Sequence, residues 1–103
     1  MNVQIHSKTL NLSTEQKEYI QSKAEKILRY SARADDESST IKIHIEHEDL
    51  KDKTQQMHCV VNIVVPQDLL HAESYAQTVE AAIDICEEQL NRQIDKYKER
   101  MQK

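Results

Sequence analysis

Two spacings of apolar residues alternate along this 103-residue chain, and each change of spacing marks a new element. From Asn2 to Ser7, Val3 and Ile5 fall on one side and Gln4 and His6 on the other, which predicts a short strand. Lys8 to Leu12 is a connection. Ser13 or Thr14 then serves as a helix N-cap, and Glu15 and Glu18 place carboxylates near the positive end of the helix dipole. The helix runs to about Tyr30, with Ile20, Ala24, Ile27 and Ser31 on its inner face and Leu28 at the margin. Thr40 to Glu48 alternates strictly, Ile41, Ile43 and Ile45 against Lys42, His44 and Glu46. Gln55 to Val65 repeats the pattern with Met57, Cys59, Val61, Ile63 and Val65 inward, and Leu69 to Tyr75 is a third consecutive strand. From about Ala76 the steps become three and four. Val79, Ile83, Cys86, Leu90, Ile94, Tyr97 and Met101 line one face of a long helix.

Between these elements lie an acidic loop (Ala34 to Ser39, holding Asp35, Asp36 and Glu37), a polar turn (Asp49 to Lys53) and the turn Pro66-Gln67-Asp68. Pro66 has no N–H to give to a ladder. The order is β-α-β-β-β-α, an α+β fold. The expected architecture is a four-stranded, mostly antiparallel sheet with two helices packed on one face, forming a single domain over residues 1–103.

Composition narrows the function. Glycine is absent, so the glycine-dependent phosphate loops of nucleotide-binding proteins and the nucleophile elbow of hydrolases are missing. No apolar run is long enough to cross a bilayer and no secretory signal opens the chain. Cys59 and Cys86 fall at core-facing positions and read as reduced core residues, which points to the cytoplasm. The net charge of −4 hides a strong asymmetry. Residues 1–34 carry six basic and three acidic side chains, residues 92–103 five and two, and the stretch between them three and 13. Positive charge is therefore gathered at the two ends of the chain.

That distribution singles out a candidate surface. On a helical wheel Tyr19, Lys23, Lys26 and Tyr30 cluster on an outward face of the first helix, beside Arg29 and Arg33. The last helix carries Arg92, Lys96, Arg100 and Lys103 in one stripe, with Lys98 nearby. Cations interleaved with tyrosines suit a phosphate backbone and unstacked bases. The same residues also suit an ordinary solvated face, with Glu88–Arg92 and Glu99–Lys103 as helix-stabilising pairs. His44, His58 and His71 lie on the polar faces of three strands, where three imidazoles can hold zinc if they meet, but no metal-binding spacing such as HExxH or CxxC accompanies them. Asp84, Glu87 and Glu88 fall on an outward helix face, and no nucleophile–base arrangement appears. The chain reads as a non-enzyme with no cofactor and no small-molecule substrate.

Several segments resemble one family. Asn2-Val3-Gln4-Ile5, then Leu10-Asn11-Leu12-Ser13 into a helix, is similar to the start of the ribosome hibernation promoting factor family, also called the ribosome-associated inhibitor or sigma-54 modulation protein family. Tyr19-Ile20 and Lys23-Ala24-Glu25-Lys26-Ile27-Leu28-Arg29-Tyr30 resemble its first helix, and Leu70-His71-Ala72-Glu73 its last strand. The most specific match is Glu80-Ala81-Ala82-Ile83-Asp84 followed by Leu90-Asn91-Arg92-Gln93-Ile94-Asp95-Lys96-Tyr97-Lys98 on the second helix. Pro66-Gln67-Asp68-Leu69 stands where the family usually has a glycine pair, and Thr78-Val79-Glu80 replaces its usual Asp-Met-Tyr.

The resemblance implies a fold similar to double-stranded RNA-binding domains, in a short form without the C-terminal dimerisation domain of long members. It implies a cytoplasmic protein, monomeric when free, that binds the small ribosomal subunit and its ribosomal RNA and silences idle ribosomes in starvation or stationary phase. Carried onto this sequence, the RNA ligands are Lys23, Lys26, Arg29, Arg92, Lys96, Lys98 and Arg100, with Tyr19 and Tyr30 as stacking groups. The alternative is an acidic protein-interaction module on the same fold that no longer binds the ribosome.

Overall fold

Reciprocal hydrogen bonds start the first helix: the Gln16 N–H donates to Ser13 Oγ at 3.1 Å, and the Ser13 N–H to Gln16 Oε1 at 2.9 Å. This capping box satisfies two donors that a first turn leaves unpaired and settles the cap on Ser13. The computed structural model describes residues 2–30, 40–48, 51, 55–65 and 67–101. Its elements are β1 (Asn2–His6), α1 (Thr14–Tyr30), β2 (Thr40–His47), β3 (Met57–Val65), β4 (Asp68–Ala76) and α2 (Val79–Met101). The acidic loop, most of the Asp49–Lys53 turn, Ser31, Arg33, Pro66 and Lys103 lie outside the described residues.

The expected element order is the observed one. The last boundary differs: β4 extends to Ala76 and α2 begins at Val79. Thr78 sets that start, accepting the Ala81 N–H on Oγ1 and the Ala82 N–H on its carbonyl, each at 3.1 Å. β3 also begins two residues later than the alternation predicts, at Met57.

The sheet order is β1-β2-β3-β4, with β1 parallel to β2 and the other two pairs antiparallel. Register stacks the apolar residues in rows: Ile41 with Ile63 and Leu70, Ile43 with Val61 and Ala72, Ile45 with Cys59 and Ser74. All nine are buried on the side covered by the helices. Against them α1 packs Ile20, Ala24, Ile27 and Leu28, and α2 packs Val79, Ala82, Ile83, Cys86, Leu90, Ile94 and Tyr97. Burying each Ile or Leu contributes about 1.5–3 kcal/mol. The opposite face has Lys42, His44, His71, Glu73 and Tyr75 at its surface, and no helix of the described residues covers it. Among the described residues no helix is long and apolar enough to cross a membrane.

One sheet edge is closed by side chains. Gln93 Oε1 accepts the His71 N–H at 3.0 Å and its Nε2 donates to the His71 carbonyl at 2.5 Å. Four residues earlier, Gln89 repeats the pattern on Glu73 at 3.2 and 3.0 Å. Two amides one helical turn apart thus stand in for a fifth strand along β4, whose free N–H and C=O groups would otherwise invite another chain.

Candidate nucleic-acid interface

The two helices that carry the candidate cations lie side by side, and their flanks meet in an ordered seam. Tyr19 Oη donates to Asp84 Oδ1 at 2.7 Å, and Tyr30 Oη to Asp95 Oδ1 at 2.9 Å. The two contacts share one sequence offset, so α1 and α2 run parallel. Each pair of partners is 11 residues, close to three helical turns, apart on its own helix. Lysines fill the gaps. Lys23 Nζ lies 3.1 Å from both Asp84 and Glu87, and Lys26 Nζ 3.7 Å from Glu87. Lys98 Nζ donates to the main-chain carbonyl of Tyr30 and sits over the Tyr30 ring, 4.5 Å from its centroid. A cation on the last carbonyl of α1 also complements the negative end of that helix.

The seam shifts its own titrations. Burial alone lowers the Lys23 pKa, but the hydrogen bonds to Asp84 and Glu87 outweigh it and raise the ammonium above its ordinary value. Burial works to raise Asp84, yet the bonds from Tyr19 and Lys23 hold it below the usual carboxylate range. The hydrogen bonds to Asp84 and Asp95 push the Tyr19 and Tyr30 phenols up.

This arrangement corrects one sequence expectation. Tyr19, Lys23, Lys26 and Tyr30 do share a flank of α1, but Tyr19 and Lys23 turn toward α2, with Asp84 and Glu87 as partners, while Lys26 and Tyr30 remain exposed. A helical wheel separates the core face from the rest and does not say on which side the neighbouring helix lies. Only 19% of the Lys23 side chain remains exposed, against 67% for Lys26.

The remaining cations fall elsewhere. Arg100 pairs with Asp68 at the start of β4. Arg92 shares a shallow groove with Gln89, Gln93, Asp95 and Lys96, and Lys96 a second one with Asp68, Leu69, Gln93 and Arg100. The second groove lies on the β4 flank of α2, while Asp95 carries the first from that flank toward the seam. Arg29 is exposed on α1. Arg29, Arg92 and Lys96 form no ion pair with any described residue. The seven candidates therefore divide into a seam group (Lys23, Lys26, Lys98) and an outward group (Arg29, Arg92, Lys96, Arg100).

The strand histidines occupy separate rows. His44 stacks on His6 with ring centroids 5.0 Å apart, and His71 Nδ1 lies 2.6 Å from Asn62 Oδ1. His58 stacks on Tyr75 and lies between Glu48 at 2.9 Å and Glu73 at 3.5 Å. Among the described residues no group of three or more His, Cys, Asp or Glu is placed to hold a metal ion.

Sequence reasoning missed the seam carboxylates as partners and the two edge-sealing glutamines. Both were signalled by spacing, in the shared 11-residue interval of Tyr19/Tyr30 and Asp84/Asp95 and in the four-residue step from Gln89 to Gln93.

Comparison with known proteins matches residues 3–102 to the family described as Sigma 54 modulation protein / S30EA ribosomal protein. A search of curated protein sequences found no match. Among solved structures, the Protein Y N-terminal domain of Thermus thermophilus is similar, with a TM-score of 0.76 and 18% identity over 94% of this chain and 99% of that one. A ribosomal subunit interface protein from Coxiella burnetii is similar with a TM-score of 0.72 and 22% identity over 95% and 98% of the two chains. At such identities these likenesses establish the shared fold.

Proposed function

The chain belongs to the sigma 54 modulation protein / S30EA ribosomal protein family, a family of non-enzymatic, ribosome-associated modulators of translation, and from that premise we propose that it binds ribosomal RNA in the decoding region of the small subunit and silences idle ribosomes. Occupying that region excludes messenger and transfer RNA and protects the ribosome in starvation or stationary phase. The protein acts in the cytoplasm and is monomeric when free.

The observation that carries this reading is the pair Arg92 and Lys96. Both are exposed on a helix anchored by Leu90, Ile94 and Tyr97 in the core, and neither is neutralised by a described carboxylate. Such cations are pre-placed for phosphate oxygens, and each contact releases condensed counterions. Arg29 and Arg100 extend the outward group, Arg100 by exchanging Asp68 for phosphate. The seam lysines and tyrosines fix how α1 and α2 sit, with Lys26 the most open of them.

Co-sedimentation with salt-washed ribosomes through a sucrose cushion tests the proposal. Wild-type protein should pellet at low salt and be lost from the pellet as salt rises. Arg92→Glu/Lys96→Glu should stay in the supernatant at both salts while keeping its far-ultraviolet circular dichroism. A variant that pellets like wild type at low salt would remove these residues from the interface. The alternative, an acidic interaction module, draws on the acidic stretch between residues 35 and 91 and the neutralised seam. It expects no pelleting at any salt and partner binding that salt leaves unchanged.

A further inference from the structure

Beneath α2, three sulfur- or oxygen-bearing side chains converge that the ribosome reading does not use. Cys59 on β3 lies directly opposite Ser74 on β4, both pointing toward the helices, and Cys86 of α2 descends onto the pair. Cys86 Sγ is 3.4 Å from Ser74 Oγ and 3.7 Å from the Cys59 carbonyl oxygen. Ser74 Oγ donates its single proton to the Ala82 carbonyl at 2.7 Å. The Cys86 S–H is therefore the donor toward Ser74 and the Cys59 carbonyl. Both cysteines are free and fully buried, and Ser74 is the one buried polar side chain among the described residues.

We infer that Cys59 and Cys86 form a redox pair, which a peroxide converts to an intramolecular disulfide tying α2 to β3. The chemistry is asymmetric. The neighbouring Cys86 sulfur and burial push the Cys59 thiol up, whereas Cys59 and Ser74 beside it bring the Cys86 thiol down. Cys86 is thus the sulfur that attacks. Its thiolate takes one oxygen of hydrogen peroxide, giving sulfenic acid and releasing hydroxide. Cys59 sulfur then displaces the sulfenic oxygen, forming the S–S bond, and the Cys59 proton leaves with that oxygen as water. Two thiols lose two electrons and two protons, and one peroxide becomes two waters. Burial makes access the slow step, through local opening of α2. The inference is independent of ribosome binding.

The test uses the full reduced chain. After hydrogen peroxide treatment, remaining thiols are alkylated in denaturant without reductant and the intact mass is measured. The expected product is a monomer lighter by two hydrogens, with no alkyl group, restored to two alkylated thiols by dithiothreitol. Cys59→Ser should instead gain oxygen at Cys86, and Cys86→Ser should keep Cys59 as an alkylatable thiol. Two alkylated thiols in wild type after exposure that oxidises free cysteine, disulfide only between chains, or oxygen added without a bond would each overturn the inference.

Discussion

Glu46 shows how one carboxylate organises a connection. Its oxygens accept the Lys8 N–H at 2.8 Å, the Thr9 N–H at 3.0 Å and the Thr9 hydroxyl at 2.7 Å, which fixes the chain between β1 and α1. The Lys8 backbone bond leads the effects that hold its pKa below the usual carboxylate range. A depressed carboxylate stabilises the fold fully above its unfolded value of about 4.3 and loses that contribution as pH falls through its folded value. Glu46→Gln should therefore lower the urea midpoint at about pH 7, and the gap to wild type should close by about pH 3. Gln67 makes the opposite case. It adopts φ 69°, the left-handed region that glycine enters without strain, at the turn where the resembled family usually has glycines. Gln67→Gly should raise stability by up to about 1 kcal/mol in urea unfolding. Neither feature was legible in the sequence. Glu46 reads as one more polar strand residue until its register next to the β1–α1 connection is known, and a turn residue does not announce its φ.

At the scale of elements, apolar spacing carried nearly everything. Strict alternation around Ile41–Ile45 and Cys59–Val65, and the three-four steps from Val79 to Tyr97, each define a buried face without reference to the rest of the chain. What apolar spacing did not show was how polar flanks pair between elements. The parallel α1–α2 seam depends on where both helices rest on the sheet, so Lys23 read as a free cation and Asp84 as a free acid. Tyr19→Phe should cost about 1 kcal/mol, since Asp84 keeps only Lys23 as a partner. Tyr30→Phe, at an exposed site, should leave the urea midpoint nearly unchanged. The glutamine pair makes a separate demand. Gln89→Ala/Gln93→Ala should lose about 0.5–1.5 kcal/mol per site and expose the β4 edge. Sedimentation velocity should then show association that grows with concentration, absent from wild type.

For the molecule as a whole, charge is sorted rather than spread. The sequence placed an excess of positive charge at both ends of the chain, and folding divides those cations by task. Lys23 and Lys98 hold α1 against α2, with Lys26 near Glu87, while Arg29, Arg92 and Lys96 face outward without an ionic partner among the described residues. The central claim is that the outward group, and not the seam, meets RNA phosphates. Its most direct test is the slope of log affinity for small ribosomal subunits against log salt concentration, measured for wild type, Arg92→Gln and Lys98→Gln. Each lost phosphate contact should flatten the slope by roughly 0.7–0.9. That flattening is expected for Arg92→Gln, and for Lys98→Gln an unchanged slope with a lower urea midpoint. A slope that flattens for Lys98→Gln and stays at the wild-type value for Arg92→Gln would contradict it.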